Sequence, residues 1–205
     1  MKQLFLFCCM LLQYTMNAQT YYDVDNTEIS QSAFQKLLLE TNLYSVKNDS
    51  LKTYKLMNRN QRGEFGSLGD SENLFKELNE KLNLKLDSSK PLIIYYYPGK
   101  DPCNSSGVGA KRKEQLKWDK ELDREVKKVA DVNVLRIYKN KEGIITLEDH
   151  DWRKDPNGLI ENLFFNYHYS CGSFVIINKD KYAAGFGEYG WKQVTENLKE
   201  ILSKQ

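Results

Sequence analysis

The run PLIIYYY, residues 91–97, constrains the fold of this chain more than any other feature. It contains no charged residue, and it lies between a Ser-Ser-Lys segment and a Pro-Gly pair that limit it to strand length. A strand that is apolar at every position is typical of an inner strand with both faces covered. Helices are the elements that cover such a sheet in α/β proteins, so the run favours an α/β layer structure over a helix bundle or a β-sandwich.

The segments around this run alternate between strand and helix patterns. The segment LYSVKNDSLKTYKLM predicts two short strands around a turn, and QRGEFGSLGD, with three glycines, predicts a loop. The remaining predicted elements are a helix after an Asp70/Ser71 cap, a long charged helix at about 109–130, a strand at VNVLRIY, two strands around residues 178–180, and a C-terminal amphipathic helix in WKQVTENLKEIL.

The first 18 residues have the layout of a secretory signal peptide. Lys2 precedes an apolar run over residues 4–12, and small and polar residues lead to Ala18. The run is shorter than the roughly 20 apolar residues of a membrane-spanning helix. We therefore expect cleavage after Ala18, no membrane span, and a mature protein that is secreted or periplasmic.

The charge of the chain does not select for a nucleic acid or a membrane as partner. Its 30 Lys and Arg residues nearly balance 28 Asp and Glu residues. The densest basic patch, residues 111–113, is followed at once by acidic residues, which is typical of a solvated helix face. We expect no nucleic-acid partner.

Cys103 and Cys171 are the two cysteines outside the predicted leader, which contains Cys8 and Cys9. In an oxidising compartment they are candidates for a structural disulfide or a redox-active pair. Metal ligation would need a third donor, for which His168 is the nearest histidine, and two free thiols are the fourth alternative. Sequence spacing alone does not decide between these four.

The order of elements from about Ser50 to the C-terminus resembles the thioredoxin fold. Residues 91–97 correspond to the central strand, residues 103–106 lie where that family places its CxxC motif, and residues 171–190 with the last helix correspond to the closing hairpin and final helix. The resemblance implies an α/β, thioredoxin-like three-layer sandwich with a central mixed sheet over residues 50–205. Residues 19–49 are then an N-terminal extension, and residues 140–170 an insertion before the closing hairpin.

The resemblance also implies roles for individual residues, with two departures from the family pattern. Ser106 stands where the family has its second cysteine, and a serine cannot attack a disulfide. Gly172 stands where the family has a cis-proline, in a loop, here Gly172 and Ser173, that lies against the active-site cysteine and the substrate. Cys171 is therefore expected close to Cys103, whose thiolate the positive end of the following helix would stabilise.

Two functional hypotheses follow from this resemblance. In the first, the protein exchanges thiols and disulfides with a protein client through Cys103 as nucleophile and Cys171 as resolving partner, with Ser106 beside them and no metal or other cofactor. In the second, it is a non-catalytic binding or structural module. Its bridge is then only stabilising, and the insertion makes the contacts.

Overall fold

The computed structural model describes residues 19–104 and 112–204, which form two β-sheets and five α-helices. The strands are β1 (Thr20–Tyr22), β2 (Glu28–Ile29), β3 (Leu43–Asn48), β4 (Thr53–Asn58), β5 (Gly63–Ser67), β6 (Leu92–Tyr97), β7 (Asn133–Tyr138), β8 (Trp152–Lys154), β9 (Ser173–Asn178) and β10 (Lys181–Gly185). The helices are α1 (Gln31–Glu40), α2 (Ser71–Leu82), α3 (Arg112–Val129), α4 (Leu159–Phe164) and α5 (Trp191–Ser203), and a short 3-10 turn at Pro156–Gly158 precedes α4.

The larger sheet has six strands in the order β5-β10-β9-β6-β7-β8. β6 pairs in parallel with β7 on one side and antiparallel with β9 on the other, so the sheet is mixed. From Leu92 to Tyr96 the exposed fraction of β6 is at most 4%. The prediction of an inner strand with both faces covered is confirmed.

Helices pack on both faces of this sheet because side chains alternate along β6. Ile93 and Tyr95 face α3 and α5, where they meet Leu122, Val126 and Val194. Leu92, Ile94 and Tyr96 face α2 and α4 on the opposite side. The α/β class with a mixed central sheet is therefore confirmed, and both helix layers rest on the strand that leads to Cys103.

The N-terminal part of the chain forms a second, four-stranded sheet in the order β2-β1-β4-β3. Tyr21, Phe34 and Leu56 form its own small core with α1, while Val46 on β3 packs into the core of the larger sheet. The predicted hairpin around Asn48 is confirmed. The expected extension of residues 19–49 ends inside that hairpin, and β4 belongs to the same sheet as the extension.

The prediction of a loop at QRGEFGSLGD is wrong, because residues 63–67 form β5 at the edge of the larger sheet. β5 pairs antiparallel with β10 along all five residues. A Cβ at Gly66 would lie 2.4 Å from the ring of Tyr182, and one at Gly63 would lie 2.7 Å from the Ala184 carbonyl oxygen. The glycines here allow close packing within a strand instead of marking a loop.

The segment 140–170 adds a strand to the edge of the larger sheet and a helix to the sheet face that α2 also covers. β8 adds in parallel to β7, and α4 places Ile160 and Phe164 in the core. Asp155 fixes the start of α4, since its carboxylate accepts the N–H groups of Ile160 at 3.0 Å and Glu161 at 2.9 Å. Burial raises the pKa of Asp155 despite these bonds.

The predicted start of the long helix near residue 109 lies outside the described residues.

Gly185→Ala should destabilise the protein strongly. A Cβ at this position would lie 2.1 Å from the ring of Phe174, which is completely buried between the sheet and its helices. Overpacking of this kind costs about 1–3 kcal/mol. Urea unfolding monitored by circular dichroism would measure the loss.

Gly69→Ala is the matched control, since Gly69 is exposed, a Cβ there meets no atom within 4 Å, and its φ is not positive. We expect its free energy of unfolding to stay within about 0.5 kcal/mol of the parent. Equal losses from the two substitutions would contradict the packing argument.

Candidate functional site

A tight turn after β6 places Cys103 at the end of the central strand. Asp101 and Asn104 hold this turn by two reciprocal bonds. The Asn104 N–H donates to Asp101 Oδ1 at 3.0 Å, and the Asp101 N–H donates to Asn104 Oδ1 at 2.8 Å. Asn104 also donates from Nδ2 to the Gly99 carbonyl at 2.9 Å. Gly99 has a φ of +126°, a conformation that needs glycine.

Cys171 lies in the loop before β9 and is held by the same two side chains. Its N–H donates to Asp101 Oδ2 at 2.9 Å, and its carbonyl accepts a longer bond of 3.4 Å from Asn104 Nδ2. The φ of Cys171 is +74°, which residues with a Cβ adopt at an energetic cost. Asp101 thus fixes both the turn of Cys103 and the strained backbone of Cys171.

Cys103 and Cys171 form a disulfide between these two segments. Their Cα atoms are 5.2 Å apart although 68 positions separate them in the chain. The expectation that the loop before the closing hairpin brings Cys171 to Cys103 is confirmed. The pairing excludes two free thiols in this state. Cys103 is exposed and Cys171 is half-buried.

Three further residues were expected at the site, and the structure describes two of them, Gly172 and Ser173. Ser106 lies outside the described residues. Gly172 lies beside the bridge, where a Cβ would approach the Tyr96 carbonyl oxygen to 3.3 Å. Ser173 is only 1% exposed, and its hydroxyl accepts the Gly187 N–H at 3.2 Å, so it supports the β10–α5 connection.

His168 connects the site to the N-terminal sheet. Its backbone N–H donates to the Lys47 carbonyl on β3 at 2.6 Å, and its Nε2 lies 3.3 Å from Asp101 Oδ2. His168 therefore contacts the carboxylate that holds Cys171 in place. Within residues 19–104 and 112–204 no group of three or more His, Cys, Asp or Glu side chains is arranged to hold a metal ion.

A cavity of about 500 Å³ opens next to the disulfide, between α3 and the segment 143–152. Cys103, Cys171 and Gly172 lie at its wall. Its aromatic lining consists, among the described residues, of Tyr95, Tyr96, Tyr97, Trp118, Trp152 and Tyr189. The hydroxyl of Tyr97 donates to the Glu142 carbonyl at 2.9 Å, and burial, with smaller contributions from Asp101 and Glu142, raises the pKa of Tyr97 to about 12.

Two charged residues of the cavity wall, Asp119 and Arg136, each have a hydrogen-bonded partner. The carboxylate of Asp119, 4% exposed, contacts His150 Nε2 at 2.9 Å and accepts a bond from Gln115 at 3.0 Å. Arg136 donates to both carboxylate oxygens of Asp123 at 2.7 Å. Its guanidinium also lies 5.4 Å from the centre of the Tyr95 ring.

An ion pair joins the start of α3 to the insertion beside the cavity. Arg112 donates to both oxygens of Asp149 at 2.8 and 2.9 Å, and these bonds lower the pKa of Asp149. Neighbouring residues of the EDHD segment therefore have different partners, since Asp149 pairs with Arg112 and His150 with Asp119. His150 is a largely buried residue whose ring is paired with Asp119.

Sequence reasoning did not find Asp101, Asn104 or the Asp119–His150 pair. The Asp-Pro and Asn residues around Cys103 are a turn signal that points to Asp101 and Asn104. Asp119 and His150 are 31 positions apart, and nothing in their local sequence links them. Tyr95 is one of three consecutive tyrosines, and only the sheet decides which face it takes.

No protein-family model, no curated protein and no solved structure matches this chain. The site is therefore argued from the geometry of its own residues. Over the residues described, no helix is both long and apolar enough to cross a membrane.

Cys103→Ser and Cys171→Ser should destabilise the oxidised protein by similar amounts. The bridge closes a loop of 68 residues, for which chain entropy predicts about 4 kcal/mol. The double variant should lose about as much as either single variant, because one bridge can be removed only once. Urea unfolding without reductant would measure all three. A double loss equal to the sum of the single losses would contradict the pairing.

Asp101→Asn should destabilise the oxidised protein by about 1–3 kcal/mol. The carboxylate accepts the N–H groups of Asn104 and Cys171 on different oxygens, whereas an amide has only one oxygen and leaves one of these donors unpaired. Urea unfolding again provides the measurement.

Asp131→Asn serves as its control, since the Asp131 side chain is 79% exposed and pairs with Lys90 at the surface. A change of about 0.5 kcal/mol or less is expected there. An Asp101→Asn loss no greater than this would show that Asp101 does not hold the site together.

Proposed function

We propose that this chain is a secreted or periplasmic thiol–disulfide exchange protein with a thioredoxin-like three-layer sandwich and a degenerate CxxS site. One observation carries the proposal. The disulfide joins an exposed residue, Cys103, to Cys171, which is held by a buried carboxylate and has a positive φ, beside a cavity. Strained, exposed bridges are the ones that exchange readily.

The arrangement of elements supports the architectural part of the proposal. The central strand β6 leads to Cys103, α3 and β7 follow, and the hairpin β9–β10 and α5 close the sheet. This is the order that the resemblance to thioredoxins requires. Helices on both faces of the sheet supply the outer layers.

The exchange proceeds through a mixed disulfide with a client dithiol. A client thiolate attacks Cys103 Sγ, the bond between the two protein sulfurs breaks, and Cys171 leaves as a thiolate that takes up a proton. The second client thiol loses its proton and attacks the client sulfur of the mixed disulfide, which releases Cys103. The client loses two electrons and two protons to become a disulfide, and the protein gains both as two thiols.

The surroundings of the two cysteines assign different roles to them. Cys103 is exposed and accessible to a client sulfur. Cys171 is half-buried, and burial disfavours the charged form of a thiol. In the reduced protein Cys103 is therefore the nucleophile, and Cys171 resolves the mixed disulfide.

The compartment belongs to the same proposal. A disulfide is compatible with an oxidising environment outside the cytoplasm. The signal-peptide pattern of residues 1–18, which lie outside the described residues, supports export. The bridge would then form after translocation.

A competing candidate is a non-catalytic module in which the bridge only stabilises the fold. The observation that favours it is the length of chain that the bridge closes, from the end of β6 to the start of β9. The reduction potential separates the two candidates. An exchange protein has a potential of about −120 to −270 mV, and a purely structural bridge lies below about −300 mV.

The role assignment predicts that the two single-cysteine variants differ in reactivity. In Cys171→Ser the remaining Cys103 should react with oxidised glutathione at pH 7 about tenfold faster than Cys171 does in Cys103→Ser, because Cys103 is the more exposed residue. Mass spectrometry of the mixed disulfide over time would give both rates.

The same two variants in 6 M guanidinium provide the control, since both cysteines are then exposed and should react at similar rates. Equal rates in the folded proteins, together with a potential below about −300 mV, would overturn the exchange proposal in favour of the structural bridge.

A further inference from the structure

We propose that the outer face of α3 binds a linear acidic polysaccharide. This inference goes beyond the exchange chemistry, because it concerns the side of α3 that points away from the sheet and from the disulfide cavity. It depends on how the fold separates the charges of α3, on which of its cations lack an ion-pair partner, and on the narrow shape of the basic surface.

The fold sorts the charges of α3 by their exposure to solvent. All seven basic residues of the helix are exposed, namely Arg112, Lys113, Lys117, Lys120, Arg124, Lys127 and Lys128. Four of its five acidic residues are buried or partly buried, namely Asp119, Glu121, Asp123 and Glu125. Glu114 is the exposed acid. The two signs are interspersed along the sequence, so they become separated only when the helix packs on the sheet.

Five of these cations form a row along the outer face of the helix. We call this row, which has a spacing of three and four residues, the basic row: Lys113, Lys117, Lys120, Arg124 and Lys127. Such a spacing places side chains on one side of an α-helix. Gln115, Trp118 and Leu122, which line the disulfide cavity, lie on the opposite side. With a rise of about 1.5 Å per residue, the basic row is about 21 Å long.

The four lysines of the basic row have no ion-pair partner. Over residues 19–104 and 112–204, the carboxylates next to them are bonded to other cations or lie beyond ion-pair distance. Both oxygens of Asp149 accept bonds from Arg112, and Glu125 pairs with Arg124 and Lys128 at 2.8 Å. Like charges at this spacing repel each other and destabilise a helix. An anionic partner along the row would remove that repulsion.

Acidic residues on both flanks make the basic surface narrow. On one flank, bonds from Arg112 and a smaller effect of the Lys120 charge lower the pKa of Asp149, which therefore lies beside the row as an anion. On the other flank, Glu121 and Glu125 lie 3.8 and 2.8 Å from the Arg124 guanidinium. A flat anionic membrane would meet these carboxylates as well as the lysines. A linear polyanion that lies along the row meets mainly the lysines, and we therefore favour a polymer over a membrane.

The composition of the face argues against a folded protein partner. Protein–protein interfaces are enriched in aromatic residues and depleted in lysine. Four of the five residues of the basic row are lysines, and α3, described from Arg112 to Val129, exposes no apolar residue. The same lack of exposed apolar side chains leaves this helix without a face that could insert into a lipid surface. Charge attraction alone remains, which suits a hydrated acidic polysaccharide.

Binding of a heparin octasaccharide tests the proposal. Isothermal titration calorimetry with the oxidised protein should detect binding at about 0.15 M salt, and the affinity should fall as salt rises, because salt screens exposed charges. Phosphatidylglycerol vesicles, a polyglutamate peptide and a DNA duplex, each at the same concentration of anionic groups, should bind more weakly. No binding of the octasaccharide at about 0.15 M salt, or tighter binding of any of the other three probes, would overturn the proposal.

The triple variant Lys113→Gln, Lys117→Gln, Lys120→Gln tests the basic row itself. It should weaken octasaccharide binding about tenfold, the combined effect of three exposed charge contacts. It should also make the affinity less dependent on salt. The melting temperature of the free protein should stay the same or rise, because the substitutions remove repulsion between like charges.

The triple variant Lys36→Gln, Lys76→Gln, Lys199→Gln is the matched control. These lysines are exposed, lie on α1, α2 and α5, and have no ion-pair partner within the described part of the chain, so the net charge changes equally but away from the row. Octasaccharide affinity should change by less than about twofold, since separated surface charges are screened by salt. Equal weakening by the two triple variants would show that net charge alone determines binding and would overturn the site. Reactivity of Cys103 toward glutathione is a separate measurement, so failure of this proposal leaves the exchange proposal standing.

Discussion

Complete burial of β6 is the constraint on which the rest of this structure depends. The strand exposes almost none of its surface, and it alternates large apolar side chains toward two helix layers. Each layer packs against its neighbours in the sheet as well, so β6, β7 and β9 share one core on each face. Apolar burial is the main stabilising contribution in such a core. The end of β6 is consequently fixed by packing on both faces of the sheet, and the turn that follows it carries Cys103.

Asp101 connects the end of β6 to both segments that carry the disulfide. Its carboxylate bonds the turn of Cys103 through Asn104 and the loop of Cys171 through a backbone N–H, and it also contacts His168. Because the His168 backbone bonds to Lys47, the N-terminal sheet is attached at the same point. The small sheet is therefore connected, through Lys47 and His168, to the loop that carries Cys171.

Polar groups buried near the disulfide follow the rule of pairing only in part. Asp119 and Arg136 each have partners, whereas the Tyr95 hydroxyl and the Trp152 indole nitrogen are buried and have none among the described residues.

The sequence by itself determined the α/β class, the inner strand, the β3–β4 hairpin and the helices after Asp70 and at the C-terminus, because hydrophobic periodicity and turn residues act over short stretches of chain. It misread β5, because the glycines at 63 and 66 serve contacts with β10 that only the paired strand reveals. Pairing of Cys103 with Cys171 followed from a resemblance in topology and not from spacing. The bonds from Asp101 to Cys171 and His168, the Asp119–His150 pair and the cavity were decided only by the tertiary structure, since they join groups that are 31 to 70 positions apart or lie on different elements. Local sequence carries no record of such distant contacts, because only the packing of the whole sheet brings them within bonding distance.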